Sequence, residues 1–310
     1  MARRIRIQFP GARYHLINRG NYRHDVFASE GAWQAFVRTL AEAAEQFRWQ
    51  VHAYVVRSNH YHVALETPEP NLAVGMHWLQ TTCATRHNRF RRRHGHLFQG
   101  RFKSLLIQDS AHLARVVDYI HLNPIRAKIL PTDRLLDFQP SSLGALVSGA
   151  RPTWLVVDQF REAAGLTASI KDWPDHLKGL VFVANNPGDD ERMKRGALSA
   201  GWASGTSGWR KALAREYAQT KLAPEWAADE LEDFRQNLWQ QELELGLAQL
   251  GQTLNAAAAA PKTIRWKLEL AYQLRQASAA PYSWIAKTLK MGAASSVRAA
   301  LSRRLQQPAG

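Results

Sequence analysis

Two β-rich runs, Trp49–Val56 and His60–Glu66, are separated only by Arg57-Ser58-Asn59. So short a connection predicts a hairpin, with the two runs paired antiparallel. Helical stretches flank the pair. Residues 29–47 carry Trp33, Phe36, Val37, Leu40 and Ala44 at helical spacing, and residues 71–93 carry Leu72, Met76, Leu79 and Cys83. A strand at Tyr14–Asn18 precedes the first helix, and another at Phe98–Gln108 follows the second. Ser110 then caps a helix running to about Asn123, where Pro124 disfavours helical geometry at the residue before it. The order β-α-β-β-α-β-α predicts an α+β fold with a ferredoxin-like antiparallel sheet.

The chain has 310 residues and a 45% hydrophobic composition, enough for two or three packed domains. We expect a first domain at 1–130 and an α-helical middle region at 131–255, broken by a loop at Asn185–Asp190. After a linker or helix end before Pro261, a tail at 261–310 reads as helices at 263–276, 283–289 and about 294–305. The single cysteine, Cys83, excludes an internal disulfide and a Cys-based zinc site. No apolar segment follows the N-terminal charges and no run is long enough to span a bilayer, so a cytoplasmic protein without membrane contact is expected.

The formal charge of +15 is unevenly spread. Residues 1–130 carry 19 Lys/Arg against 8 Asp/Glu, residues 131–260 carry 13 against 17, and residues 261–310 carry 9 against 1. Two basic ends around an acidic middle point to nucleic acid as the partner. The densest basic run contains Arg86, Arg89, Arg91, Arg92 and Arg93, with Arg86, Arg89 and Arg93 along one side of a helix. It is expected to track phosphates, as are Arg101 and Lys103. Phe90 fits the core better than a base-stacking role, and Arg3, Arg4 and Arg6 would form an N-terminal arm. In the tail, Tyr282–Gly292 followed by Ser295–Leu305 has a helix-turn-helix pattern. Ser295, Ser296 and Arg298 would lie near the reading end, with Arg303 and Arg304 on phosphates.

Two short motifs carry chemistry. On a strand, His60 and His62 face one side and Tyr61 the other, so the two imidazoles can share a divalent ion. In Tyr119-Ile120-His121-Leu122-Asn123, helical geometry puts Tyr119 and Asn123 on one face and His121 nearly opposite. Taken alone, either motif is ordinary.

Together they resemble a known family. His60-Tyr61-His62 followed by Tyr119-Ile120-His121-Leu122-Asn123-Pro124-Ile125-Arg126-Ala127 is similar to the REP-associated tyrosine transposases, within the wider HUH single-strand transposases. Tyr14-His15, Asn18-Arg19-Gly20-Asn21 and Phe98-Gln99-Gly100-Arg101-Phe102-Lys103 add to the likeness, which spans about residues 5–150. The resemblance implies Tyr119 as nucleophile and His60, His62 and Asn123 as metal ligands. It also implies Mg²⁺ or Mn²⁺ as cofactor, single-stranded DNA with an adjacent hairpin as substrate, and a 5′-phosphotyrosine intermediate. Two imidazoles favour Mn²⁺ over the oxygen-preferring Mg²⁺. Tyr61 departs from the family's usual aliphatic residue and introduces a second phenol, which strand alternation turns away from the metal. The alternatives are a DNA-binding regulator that keeps the fold without catalysis, and a replication- or conjugation-type nicking enzyme. A monomer and a homodimer both fit the sequence.

Overall fold

The computed structural model describes residues 6–167, 172–185, 198, 202–217 and 228–305. Strand β1 (Ala12–Arg19) leads to helix α1 (Glu30–Gln46), and β2 (Gln50–Val56) and β3 (His60–Thr67) form the hairpin. Helix α2 (Leu72–Arg91) then leads to β4 (Lys103–Ile107), α3 (Ser110–His121) and a single turn, α4 (Asn123–Arg126). Beyond these lie α5 (Leu143–Ser148), α6 (Asp158–Ala163), α7 (Trp173–Asn185) and a two-residue strand β5 (Ala203–Ser204).

The sheet order is β2-β3-β1-β4-β5. The first four strands pair antiparallel in the ferredoxin-like order, whereas β5 joins β4 in parallel. The predicted antiparallel sheet is thus extended into a mixed one, by a strand from a region expected to be helical. Both sheet edges are covered. Residues 140–156 line β2, with Val56 N donating to Pro140 O at 2.8 Å and Val156 N donating to Val51 O at 2.7 Å. At the far edge, Gln108 N donates to Ser204 O at 3.0 Å.

Alternation along the strands gives the sheet two different faces. Tyr61 lies on the α1/α2 side, its ring 4.5 Å from Phe36 and 6.3 Å from Phe27. Leu40, Leu65, Leu72 and Met76 are fully buried, each contributing about 1.5–3 kcal/mol. Close approach of α2 requires Gly75: a Cβ there would stand 2.2 Å from Trp49 Cζ2. The opposite face carries His15, His60 and His62 and meets α3.

Three local expectations need correction. The strand predicted from Phe98 begins only at Lys103, because Gly100 turns the chain through φ +66° and Phe98 makes only an isolated bridge to Gly20. The cap of α3 is Asp109, whose carboxylate accepts from His112 N at 2.8 Å, and not Ser110. Arg93 is not on the helical face of Arg86 and Arg89. Arg92 adopts φ 50° and Arg93 N returns to Asn88 O at 2.9 Å, closing the helix.

The described residues form two compact units, one comprising residues up to 205 with 228–229 and the other 206–217 and 230–305. The second unit contains α8 (Ser207–Glu216), the main part of α9 (Ala228–Gln249), α10 (Leu254–Ala259), α11 (Arg265–Ser278), α12 (Tyr282–Thr288) and α13 (Ala294–Leu305). The three tail helices stand where the sequence predicts them, but the structural division falls at 205/206 and not near 255. The reason is a shared core: Trp239, Leu243 and Leu247 of α9 bury with Leu270, Leu274, Ile285 and Leu301 of the tail. Gly246 admits Leu270, whose Cδ1 would be 2.3 Å from an added Cβ. The stretch before Pro261 is α10, a helix that ends at Ala259. Of the loop predicted at Asn185–Asp190, only Asn185 lies within the described residues, at the end of α7.

Candidate active site

The centre is assembled on β1 and β3. Their register pairs Ile17 with His62 and Arg19 with His60, so His15, His60 and His62 share a face. The rings of His60 and His62 lie 5.2 Å apart, and those of His15 and His62 lie 5.1 Å apart. His15 Nε2 is 2.9 Å from His62 Nδ1, and His15 Nδ1 is 2.7 Å from the Leu198 carbonyl.

Helix α3 brings the phenol. The Tyr119 ring is 5.8 Å from both His15 and His62, edge-on to each. Pro124 fits the first turn of α4. That turn aims Asn123 into the centre, where Nδ2 donates to His62 Nε2 at 3.4 Å. It also sets the Arg126 guanidinium 5.2 Å from the centroid of Tyr119. His121 points away as predicted, its Nε2 3.0 Å from Ser142 Oγ.

Hydrogen bonds fix the His60 tautomer. Asn59 Nδ2 donates to Arg23 O at 3.3 Å, which turns Asn59 Oδ1 toward His60 Nδ1 at 2.7 Å. An amide oxygen only accepts, so Nδ1 carries the proton and Nε2 the lone pair. Arg57 Nη1 donates to that Nε2 at 3.5 Å, a cation facing the nitrogen a metal would take. All three rings are neutral near pH 7. Burial first, then Arg57 and Arg19, lowers His60 to about 4. Burial lowers His15 to about 4, and burial with the two neighbouring imidazoles takes His62 well below its ordinary value.

Asn123 Oδ1 is buried without a hydrogen-bond partner. Such an orphan costs about 1–3 kcal/mol. Two imidazoles and an unpartnered carbonyl oxygen fit the needs of one divalent cation. Among the described residues no cluster of three or more His, Cys, Asp or Glu side chains could hold a metal. The donors that could hold one are these two nitrogens and, with its amide turned, the Asn123 oxygen. Tyr61, the rival phenol, is buried on the other face and its pKa is raised by burial.

The expected DNA contacts are more scattered. Arg89, Arg91, Arg92 and Arg93 are exposed. Arg86 makes a two-pronged pair with Glu42 at 2.9 and 2.8 Å and also meets Thr39, so it is already engaged. Phe90, expected in the core, is 82% exposed, with the Arg91 guanidinium 5.7 Å from its ring. Arg6 is no arm: it is buried, 3.6 Å over Phe102, and donates to Ser104 Oγ. Arg3 and Arg4 lie outside the described residues. Arg101 is exposed, and Lys103 is half-buried beside His15. In the second unit Ser295, Ser296 and Arg298 are exposed near the start of α13. Arg303 and Arg304 belong to the same helix, their side chains outside the described set.

Sequence reasoning did not single out His15, Arg57 or Arg126 as members of the centre. His15 and Arg126 belong to the Tyr14-His15 and Asn123–Ala127 segments, but only the register of β1 and the turn of α4 bring them to Tyr119.

Residues 8–123 match the sequence model of the family described as "Transposase IS200 like". No curated protein matches the chain. Among solved structures, one described as the REP-associated tyrosine transposase bound to a REP hairpin is 18% identical. The match covers 51% of this chain and 93% of that one, with a TM-score of 0.40. A putative transposase from Deinococcus radiodurans is 21% identical over 36% of this chain and 91% of that one, with a TM-score of 0.29.

Proposed function

We propose that the protein, whose residues 8–123 match the IS200-like transposase family model, cuts and rejoins single-stranded DNA near hairpin-forming repeats, using Tyr119 as its nucleophile. One observation carries the reading: Tyr119 stands 5.8 Å, ring to ring, from His62, in a centre that offers two imidazoles and the orphaned Asn123 oxygen. This proximity within one chain supports use of Tyr119 in its own centre.

His60 Nε2, His62 Nε2 and Asn123 Oδ1 would hold Mn²⁺ or Mg²⁺, Asn123 turning its amide so that the oxygen faces inward. Such an ion, when bound, withdraws charge from a phosphoryl oxygen and orients the phosphodiester for in-line attack. Arg126 brings a second cation to the place where the phosphate must lie against Tyr119. The Tyr119 oxygen attacks phosphorus and loses its proton. The bond to the 3′ oxygen breaks, leaving a 3′-OH and DNA joined by its 5′ phosphate to Tyr119. Because the phosphodiester bond is conserved in that link, a 3′-OH can attack it and reseal or transfer the strand. The buried face around His15 and His62 limits competing water. A pure DNA-binding regulator would carry the cost of the orphaned Asn123 oxygen to no purpose.

The test is a hairpin-bearing oligonucleotide incubated with Mn²⁺ and analysed on a denaturing gel. Wild type should give a covalent adduct. Tyr119→Phe should give none while binding the same DNA. An adduct with Tyr119→Phe would sink the assignment.

A further inference from the structure

We infer that His15 is a positioning residue of the metal centre: held by the Leu198 carbonyl, its ring fixes the His62 proton on Nδ1 and so presents the Nε2 lone pair to a divalent ion. The inference rests on the proposed metal role of His62 and adds to it the group that prepares that ligand.

Leu198 O lies 2.7 Å from His15 Nδ1 and can only accept. Nδ1 of His15 therefore bears the proton, since two lone pairs at that distance would repel. A neutral ring has one proton, so His15 Nε2 is the acceptor. His62 Nδ1 stands 2.9 Å from it and must donate. The remaining nitrogen of His62, Nε2, then carries the lone pair, which accepts from Asn123 Nδ2 at 3.4 Å. His60 reaches the same state by another route, through Asn59 and Arg23. Both histidines thus keep Nε2 unprotonated, that of His62 facing Asn123 and that of His60 facing Arg57. Ligating histidines generally need such a partner on their other nitrogen, and losing it costs about 10–100-fold in metal affinity or activity. Here the partner is a second histidine, itself anchored on a carbonyl 183 positions along the chain. His15 is fully buried, so the relay excludes water that would allow either tautomer.

The test uses the full chain with ¹⁵N-labelled histidine. In metal-free wild type, imidazole ¹⁵N shifts and long-range ¹H–¹⁵N couplings should show His62 protonated at Nδ1. His15→Phe fills the space but removes the acceptor. It should shift His62 toward the Nε2-protonated form and weaken Mn²⁺ binding, followed by electron paramagnetic resonance, about 10–100-fold. His15→Gln has one donor and one acceptor about as far apart as the ring nitrogens, so it should recover most of the affinity. The recovery also separates positioning from simple packing, because Phe matches the shape of His better than Gln does. If His15→Phe is insoluble, the His15→Gln tautomer and affinity decide alone, and a His62 protonated at Nε2 would overturn the inference. So would a wild-type His62 protonated at Nε2, or unchanged Mn²⁺ affinity in His15→Phe. Wild type with the expected tautomer but no Mn²⁺ binding would instead overturn the metal reading, leaving the relay as found.

Discussion

At the scale of single residues, the centre holds polar groups in states that suit a ligand better than they suit folding. Asn123 is the clearest case, with its Oδ1 buried and unpartnered. Asn123→Leu, of similar volume, removes the orphaned Oδ1 but also the Nδ2 donor to His62, so it should leave the melting temperature of the metal-free protein within the equivalent of about 1 kcal/mol. It should also abolish the rise in melting temperature that Mn²⁺ gives wild type, so thermal scans with and without the ion check both halves. His121 offers a separate test, away from the centre. It is fully buried, and burial, then His176, lowers its pKa to about 3. In the unfolded chain it takes up a proton below about 6.5, while the folded state does not until about pH 3. Its contribution is therefore nil above pH 6.5 and increasingly destabilising as pH falls through that window, by about 1.4 kcal/mol per unit. His121→Gln should lose about 2 kcal/mol less than wild type between pH 7 and pH 5 in urea titrations. Equal losses would show that His121 is protonated in the folded state.

At the scale of elements, the sequence was informative wherever side-chain period and chain order decide the outcome. The strand-helix order, the hairpin, the separate faces of Tyr61 and the two histidines, and the shared face of Tyr119 and Asn123 all follow from local geometry. What was not legible depends on register or on distant chain. His15 joins His62 only because β1 pairs with β3 at Ile17–His62, and β5 is too short to leave a pattern. The basic run misled for a related reason: counting charge does not reveal that Glu42 from α1 already holds Arg86. The end of α2 is thus better represented by Phe90 and Arg91. Phe90→Ala should leave stability within about 0.5 kcal/mol, because the ring is 82% exposed. It should weaken single-stranded DNA binding by about 1–3 kcal/mol if a base stacks there. Fluorescence anisotropy with an unstructured oligonucleotide measures this, and an unchanged affinity would return Phe90 to a bystander.

At the scale of the whole molecule, the two units change how the tail should be tested. Cutting at 261 would strip Leu270, Leu274 and Ile285 from Trp239 and Leu243, so that truncation should aggregate whatever the tail does. A surface change in the full chain is cleaner. Arg298→Glu on α13 should lower the salt slope of target binding by about 1 or more while leaving cleavage of a short, saturating oligonucleotide unchanged. An unchanged slope would count against DNA reading by α13. The covering of the β4 edge by β5 has a different consequence, for synthesis on the ribosome. About 95 residues separate the two strands, and at roughly 5–20 residues per second the nascent sheet keeps an open edge for about 5–20 s. Leu198, which anchors His15, emerges in the same late interval. A growing chain that already displays His60, His62 and Tyr119 therefore lacks both the edge strand that guards against mispairing with other chains and the carbonyl that holds His15.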